Sequence, residues 1–150
     1  MKFKLELTIN RSLAEVWKAF DSAENLKNWQ PTLKKHELVS GTLGQPGAVS
    51  TLTYEENERE FALTEKIILR EEPDRLDAVY ENNFTDNTNK NTFIEQGPNK
   101  TLWRLESEYK FKTTAMKIVG TMKKKNFVAR TQKDMENFKE FVEDLSRRMQ

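Results

Sequence analysis

The spacing of apolar residues changes once in the last third of the chain, and that change limits the folds open to it. Trp103, Leu105, Ser107, Tyr109 and Phe111 alternate with Arg104, Glu106, Glu108, Lys110 and Lys112. A period of two, with one side charged, is the pattern of a strand with one face buried and the other in water. Beyond Thr114 the period becomes helical: Val128, Met135, Phe138, Val142, Leu145 and Met149 recur at sums of three and four, supported by Phe127 and Phe141. Such a helix of roughly 35 residues runs about 50 Å, long for a small domain. Gly120 near its start is the expected bend. A half-wet strand followed by a long one-sided helix implies a sheet whose inner face that helix covers.

The first strand has the same alternation, with Phe3, Leu5, Leu7 and Ile9 set against Lys2, Lys4, Glu6 and Thr8. Ser12 then opens a helix, with Glu15 three residues on in a capping-box arrangement. Leu13, Val16, Trp17 and Phe20 make its apolar face. Asp21-Ser22 reads as a second cap before a short helix over 23–27, and Trp29-Gln30-Pro31 ends it.

From Leu33 to Thr113 strands are expected over 33–41, 48–55, 60–71, 75–82, 90–96 and 101–112. The turns fall at Gly41 to Gly47, Glu56-Asn57-Glu58, Glu72-Pro73-Asp74 and Gly97-Pro98-Asn99. The polar, asparagine-rich run Asn82–Asn91 around Phe84 reads as a loop. Short turns between successive strands indicate an antiparallel meander and not βαβ units. Residues 1–150 are expected to form one α+β domain: seven strands, two short helices between the first and second, and a long C-terminal helix.

The chain carries 25 basic and 24 acidic residues, for a net charge of +1. That balance offers no overall field for nucleic acid or an acidic membrane. Aromatic residues make up 10% of the chain, which disordered sequences lack. There is no cysteine, so disulfides, thiolate nucleophiles and thiolate metal sites are excluded. No stretch approaches the roughly 20 apolar residues that span a bilayer, and no signal-peptide pattern opens the chain. A cytoplasmic protein without stable membrane insertion is expected.

The segment from Ile9 through Ser12-Leu13-Ala14-Glu15-Val16-Trp17 to Phe20-Asp21, then Glu24-Asn25-Leu26 to Trp29-Gln30-Pro31, resembles the helix-grip superfamily. That group includes START-related lipid-transfer domains, birch-pollen-allergen-like proteins and the bacterial polyketide cyclase/dehydrase-like proteins. Gly44-Gln45-Pro46-Gly47 is similar to its turn between the second and third strands. The resemblance implies a curved seven-stranded antiparallel sheet gripping the C-terminal helix, with a cavity between them for a small hydrophobic or amphiphilic molecule. Members bind lipids, sterols, polyketides or plant hormones, and some catalyse cyclisation or dehydration. A related branch resembles activators of a heat-shock chaperone. These are folding motifs, so no catalytic residue and no cofactor carries over.

Three functions stay open: a binding or transport protein for such a molecule, a cyclase/dehydrase-type enzyme acting on it, and a protein-interaction domain with a filled core. The last would use the charged sheet face or the 81–91 loop. The inner face of the last strand places Trp103, Ser107, Tyr109 and Phe111 in the expected cavity, where hydroxyls among aromatics would orient a ligand. Tyr54 and Tyr80 are candidates of the same kind. Met116, Val119 and Gly120 line the early helix, where the missing side chain at Gly120 leaves room. Lys123-Lys124-Lys125 is either a solvated face or an attractor for an anionic head group.

Glu65 alternates with Phe61, Leu63, Ile67 and Leu69, which points it inward unless a bulge after Thr64 flips the phase. It is exposed or ion-paired, a polar cavity residue, or an acid/base partnered by Tyr109 or Ser107. The lone histidine, His36, is either a surface or satisfied side chain, or an acid/base or ligand contact. One histidine and no cysteine make a metal site unexpected. The first and last strands of the sheet have no evident guard, which leaves room for a homodimer.

Overall fold

The computed structural model describes residues 1–148, with side chains through Leu145, so Met149 of the apolar stripe lies outside the described residues. Strand β1 (Lys2–Ile9) leads into α1 (Leu13–Phe20), a 3-10 turn (Ala23–Asn25) and α2 (Leu26–Trp29). Six strands follow: β2 (Leu33–Ser40), β3 (Val49–Glu56), β4 (Arg59–Glu71), β5 (Arg75–Glu81), β6 (Thr85–Gly97) and β7 (Lys100–Phe111). Helices α3 (Thr114–Met122) and α4 (Lys124–Arg148) end the chain.

All seven strands form one antiparallel sheet in the order β1-β7-β6-β5-β4-β3-β2. Its two edges, β1 and β2, are joined in sequence by the two short helices. The Ser12 capping box forms, with its hydroxyl accepting from the Glu15 amide and Glu15 reaching back to the Ser12 amide. Asp21 is not the cap of the next helix. Its carboxylate instead takes the Arg70 guanidinium, with Nη2 to Oδ2 at 2.7 Å, and Ser22 makes no side-chain cap. Arg70 lies over the Trp17 ring at 5.3 Å, so this fork ties the end of α1 to β4.

Arg70 reaches the inner face because β4 bulges, between Ile67 and Leu69 and not after Thr64. The alternation therefore holds through Ile67, turns Ile68 outward at 53% exposure, and reverses for Leu69 and Arg70.

The core sits where α4 crosses α1, α2 and β1. Phe138 is fully buried, its ring 5.2 Å from Trp103 and 5.3 Å from Trp29, both edge-on. Phe20 meets Phe93 at 4.9 Å. Edge-to-face pairs of this kind each add about 1 kcal/mol beyond area burial. Met135, Val142, Val16 and Ile9 fill the gaps between the rings.

Two further expectations need correction. The long helix breaks at Lys123, not at Gly120. Gly120 is helical and buried, and a Cβ there would stand 2.1 Å from Cζ of Phe111, so glycine serves close packing and not a bend. Most of the asparagine-rich run is strand, since β6 begins at Thr85. Only 82–84 remains a turn, where Oδ1 of Asn82 accepts from the amides of Phe84 and Thr85.

Candidate functional site: a cavity between sheet and helix

Between the inner face of the sheet and the α3–α4 break lies a cavity of about 660 Å³. Its walls are aromatic: Trp29, Tyr54, Tyr80, Trp103, Tyr109, Phe111 and Phe127 all contribute. Tyr109 stacks between Phe111 and Phe127, at 6.4 and 4.9 Å, and so couples β7 to α4. Met116, Val119 and Gly120 cover one end from α3.

A row of amides crosses the floor. Asn87, Asn89 and Asn91 occupy alternate positions of β6, and all three line the cavity. Asparagine is disfavoured in strands, but here each side chain is held. Asn87 Nδ2 donates to Ser107 Oγ (2.9 Å), and Ser107 Oγ donates to Asn89 Oδ1 (2.8 Å). Trp103 Nε1 donates to Asn91 Oδ1 (3.0 Å), whose Nδ2 donates to the Leu76 carbonyl (3.2 Å). Tyr54 donates from its hydroxyl to Gln30 at 2.8 Å. The indole N–H of Trp29, by contrast, has no partner among the described residues.

The ten residues expected at the site divide eight to two. Tyr54, Tyr80, Trp103, Tyr109, Phe111, Met116, Val119 and Gly120 line the cavity. Ser107 is buried one layer behind, holding Asn87 and Asn89 in place. Glu65 points inward but away from Ser107 and Tyr109. Its carboxylate is 3.8 Å from His36 Nε2, both side chains being 13% exposed. His36 is thus partly buried beside Glu65. The Glu65 charge also lies near Tyr80, and burial together with that charge pushes the Tyr80 pKa well up. Tyr54 is likewise pushed up, first by burial and then by Glu65 and Asp134. Burial raises Tyr109 to about 12, its hydrogen bond with Ser107 working the other way. All three phenols stay protonated at neutral pH and can donate.

The residue that sequence reasoning passed over is Asp134. It lines the cavity from α4, and burial raises its pKa to about 6, with Arg130 pulling against the rise. Arg130 itself is engaged by Glu56 and lies 5.8 Å over the Phe61 ring. A signal existed: Phe127, Thr131, Asp134 and Phe138 follow one another at helical spacing, so a carboxylate sits on the buried stripe. The asparagine row was hidden because its period of two contained no apolar residue before Phe93.

The chain matches along residues 1–143 the model of the family described as polyketide cyclase / dehydrase and lipid transport. It belongs to that family. Among solved structures, a START superfamily protein from Mycobacterium smegmatis aligns with a TM-score of 0.80 at 15% identity, covering 96% of this chain and 98% of the other. Ara h 8.0201 aligns at 0.75 and 19% identity, over 96% and 98%. The Zhui aromatase/cyclase from Streptomyces sp. R1128 aligns at 0.74 and 12% identity, over 95% and 93%. At these identities the likeness establishes the fold of this family member and not its ligand. No curated protein sequence is significantly similar to the chain.

Proposed function

We propose that this family member binds a small amphiphilic molecule with an aromatic or polycyclic body in the cavity between sheet and helix. One observation carries the reading: a volume of about 660 Å³ lined by aromatic rings yet crossed by a fixed row of amides and one carboxylate. An empty apolar hole of that size would be filled by core side chains, since voids are costly. The polar groups are too ordered to be accidents of packing, and they fix orientation as polar groups in ligand sites do. Asn89, Tyr80 and Tyr109 are the handles we assign to the ligand.

The test is native mass spectrometry of the protein purified gently from its own host, paired with thermal shift against polycyclic aromatic and lipid panels. A co-purified small molecule, or a shift of several degrees for one panel, is expected; neither appearing would remove the reading.

Asp134 supports a second reading, an enzyme of the cyclase or dehydrase type. A carboxyl group with a pKa of about 6 inside an aromatic cavity is suited to passing a proton near neutral pH. The fold is shared with an aromatase/cyclase and with a norcoclaurine synthase from Thalictrum flavum in complex with dopamine and hydroxybenzaldehyde. Asp134→Asn separates the two. A binding protein keeps ligand affinity within a few fold, whereas an enzyme loses turnover while still binding.

A further inference from the structure

The near-balance of charge over the whole chain conceals an uneven distribution. Between Glu108 and Asp134 the chain carries eight Lys or Arg and no Asp or Glu, so the remainder is net acidic. Two of the eight are neutralised: Lys112 meets Asp86 at 3.6 Å, and Arg130 meets Glu56. Lys117, Lys123, Lys124 and Lys125 are exposed and make no ion pair among the described residues. Lys117 lies in α3, and the other three sit at the break that follows it.

The same end of the molecule exposes large apolar side chains. Met122 is 81% exposed, Ile118 59%, Phe84 58% and Val119 50%. Ile118 and Met122 are four apart, hence neighbours on the outer side of α3. Phe84 and Val119 line the cavity, so the exposed patch is continuous with its mouth. Phe84 is held beside α3, its carbonyl accepting from the Lys112 amide at 3.0 Å just before the helix begins. Apolar side chains flanked by unpaired lysines form the two-part surface of a helix that lies in a membrane interface.

We infer that α3 and the 82–84 turn dock on an anionic lipid bilayer, setting the cavity mouth against the membrane surface. Charge selects the bilayer: four unpaired lysines attract acidic head groups, each raising partitioning by roughly fivefold near such a surface. The apolar residues exclude the other polyanion. A nucleic acid would pair with the lysines but offers nothing to Ile118 and Met122, which would stay in water. The docking is peripheral, since no helix of the described residues is long and apolar enough to cross a membrane.

Flotation of the full chain with vesicles of phosphatidylcholine alone, and with about 30% phosphatidylglycerol added, tests this directly. The wild type is expected to float with the anionic vesicles at least about tenfold more than with the neutral ones, and about 0.5 M salt should suppress it. Two double variants avoid the cavity lining. Lys124→Glu with Lys125→Glu, and Ile118→Asn with Met122→Asn, should each lower flotation about tenfold while leaving melting within a few degrees. Ile118→Leu with Met122→Leu should retain it. No wild-type preference for anionic vesicles overturns the inference, as does wild-type flotation by both double variants. If only the lysine pair matters, and a DNA duplex binds with the same dependence, the surface is a general polyanion site and membrane docking is wrong. The lysine pair and the lipid comparison decide the matter even if the asparagine pair unfolds.

Discussion

Asp134 is a carboxylate that folding makes harder to ionise. Its folded pKa of about 6 lies above the ordinary 3.8, so the folded state holds the proton more tightly. The stability this contributes is complete below the unfolded value and is lost as pH rises through about 6. Asp134→Asn should therefore stabilise the protein by on the order of 1–2 kcal/mol at about pH 7.5 and by close to nothing near pH 4. Urea titrations at the two pH values measure the difference, and an equal effect at both would contradict the assignment. Gly120 offers a steric counterpart. A methyl group there meets the Phe111 ring, which must swing into the cavity it lines. Gly120→Ala should cost about 1–3 kcal/mol as overpacking does, and should weaken any cavity ligand; calorimetry reads both.

At the level of elements, β6 shows how a strand can be built against its own propensities. Its inner positions Asn87 and Asn91 are buried and bonded, so the hydrogen bonds of the wall replace hydrophobic contact. Asn91→Ala would strand the Trp103 indole N–H in the core and should cost about 1–3 kcal/mol, the penalty for an unpaired buried donor. Thermal melting with near-ultraviolet circular dichroism of Trp103 checks it. The β3–β4 hairpin turns on Asn57 and Glu58, with φ of 51° and 64°. Only the first is a residue that accepts left-handed backbone readily, so Glu58→Gly should gain up to about 1 kcal/mol. These two elements also mark what was legible beforehand. Strands β1 and β7 and the Ser12 cap could be read because period and capping chemistry agree there. The start of β6 and the break at Lys123 could not, because the first obeys the cavity and the second falls among lysines with no glycine or proline to mark it. The same holds for the site: its aromatic wall followed from β7, while Asp134 is a carboxylate on the buried stripe of α4, masked by the apolar residues around it.

Across the whole molecule, a dry half and a hollow half share one sheet. Phe138, Trp29, Trp103 and Phe93 close the dry half around the middle of α4. Phe138→Ala should cost about 3–5 kcal/mol, and chemical denaturation should show it as a shift of midpoint. Substitutions around α3 reach less of this core, so Ile118 and Met122 can change with little loss of stability. A sheet open between β1 and β2, bridged only by two short helices, allows this division because no ring of strands fixes its width. The asparagine wall then carries a consequence for engineering. Replacing Asn87, Asn89 and Ser107 together by valine or leucine removes the donors and acceptors they offer one another, leaving only the Glu108 carbonyl to lose a side-chain partner, a change that can be near neutral or stabilising. A laboratory selection for heat resistance alone would drift toward those substitutions and return a hardier protein whose cavity had lost its polar floor.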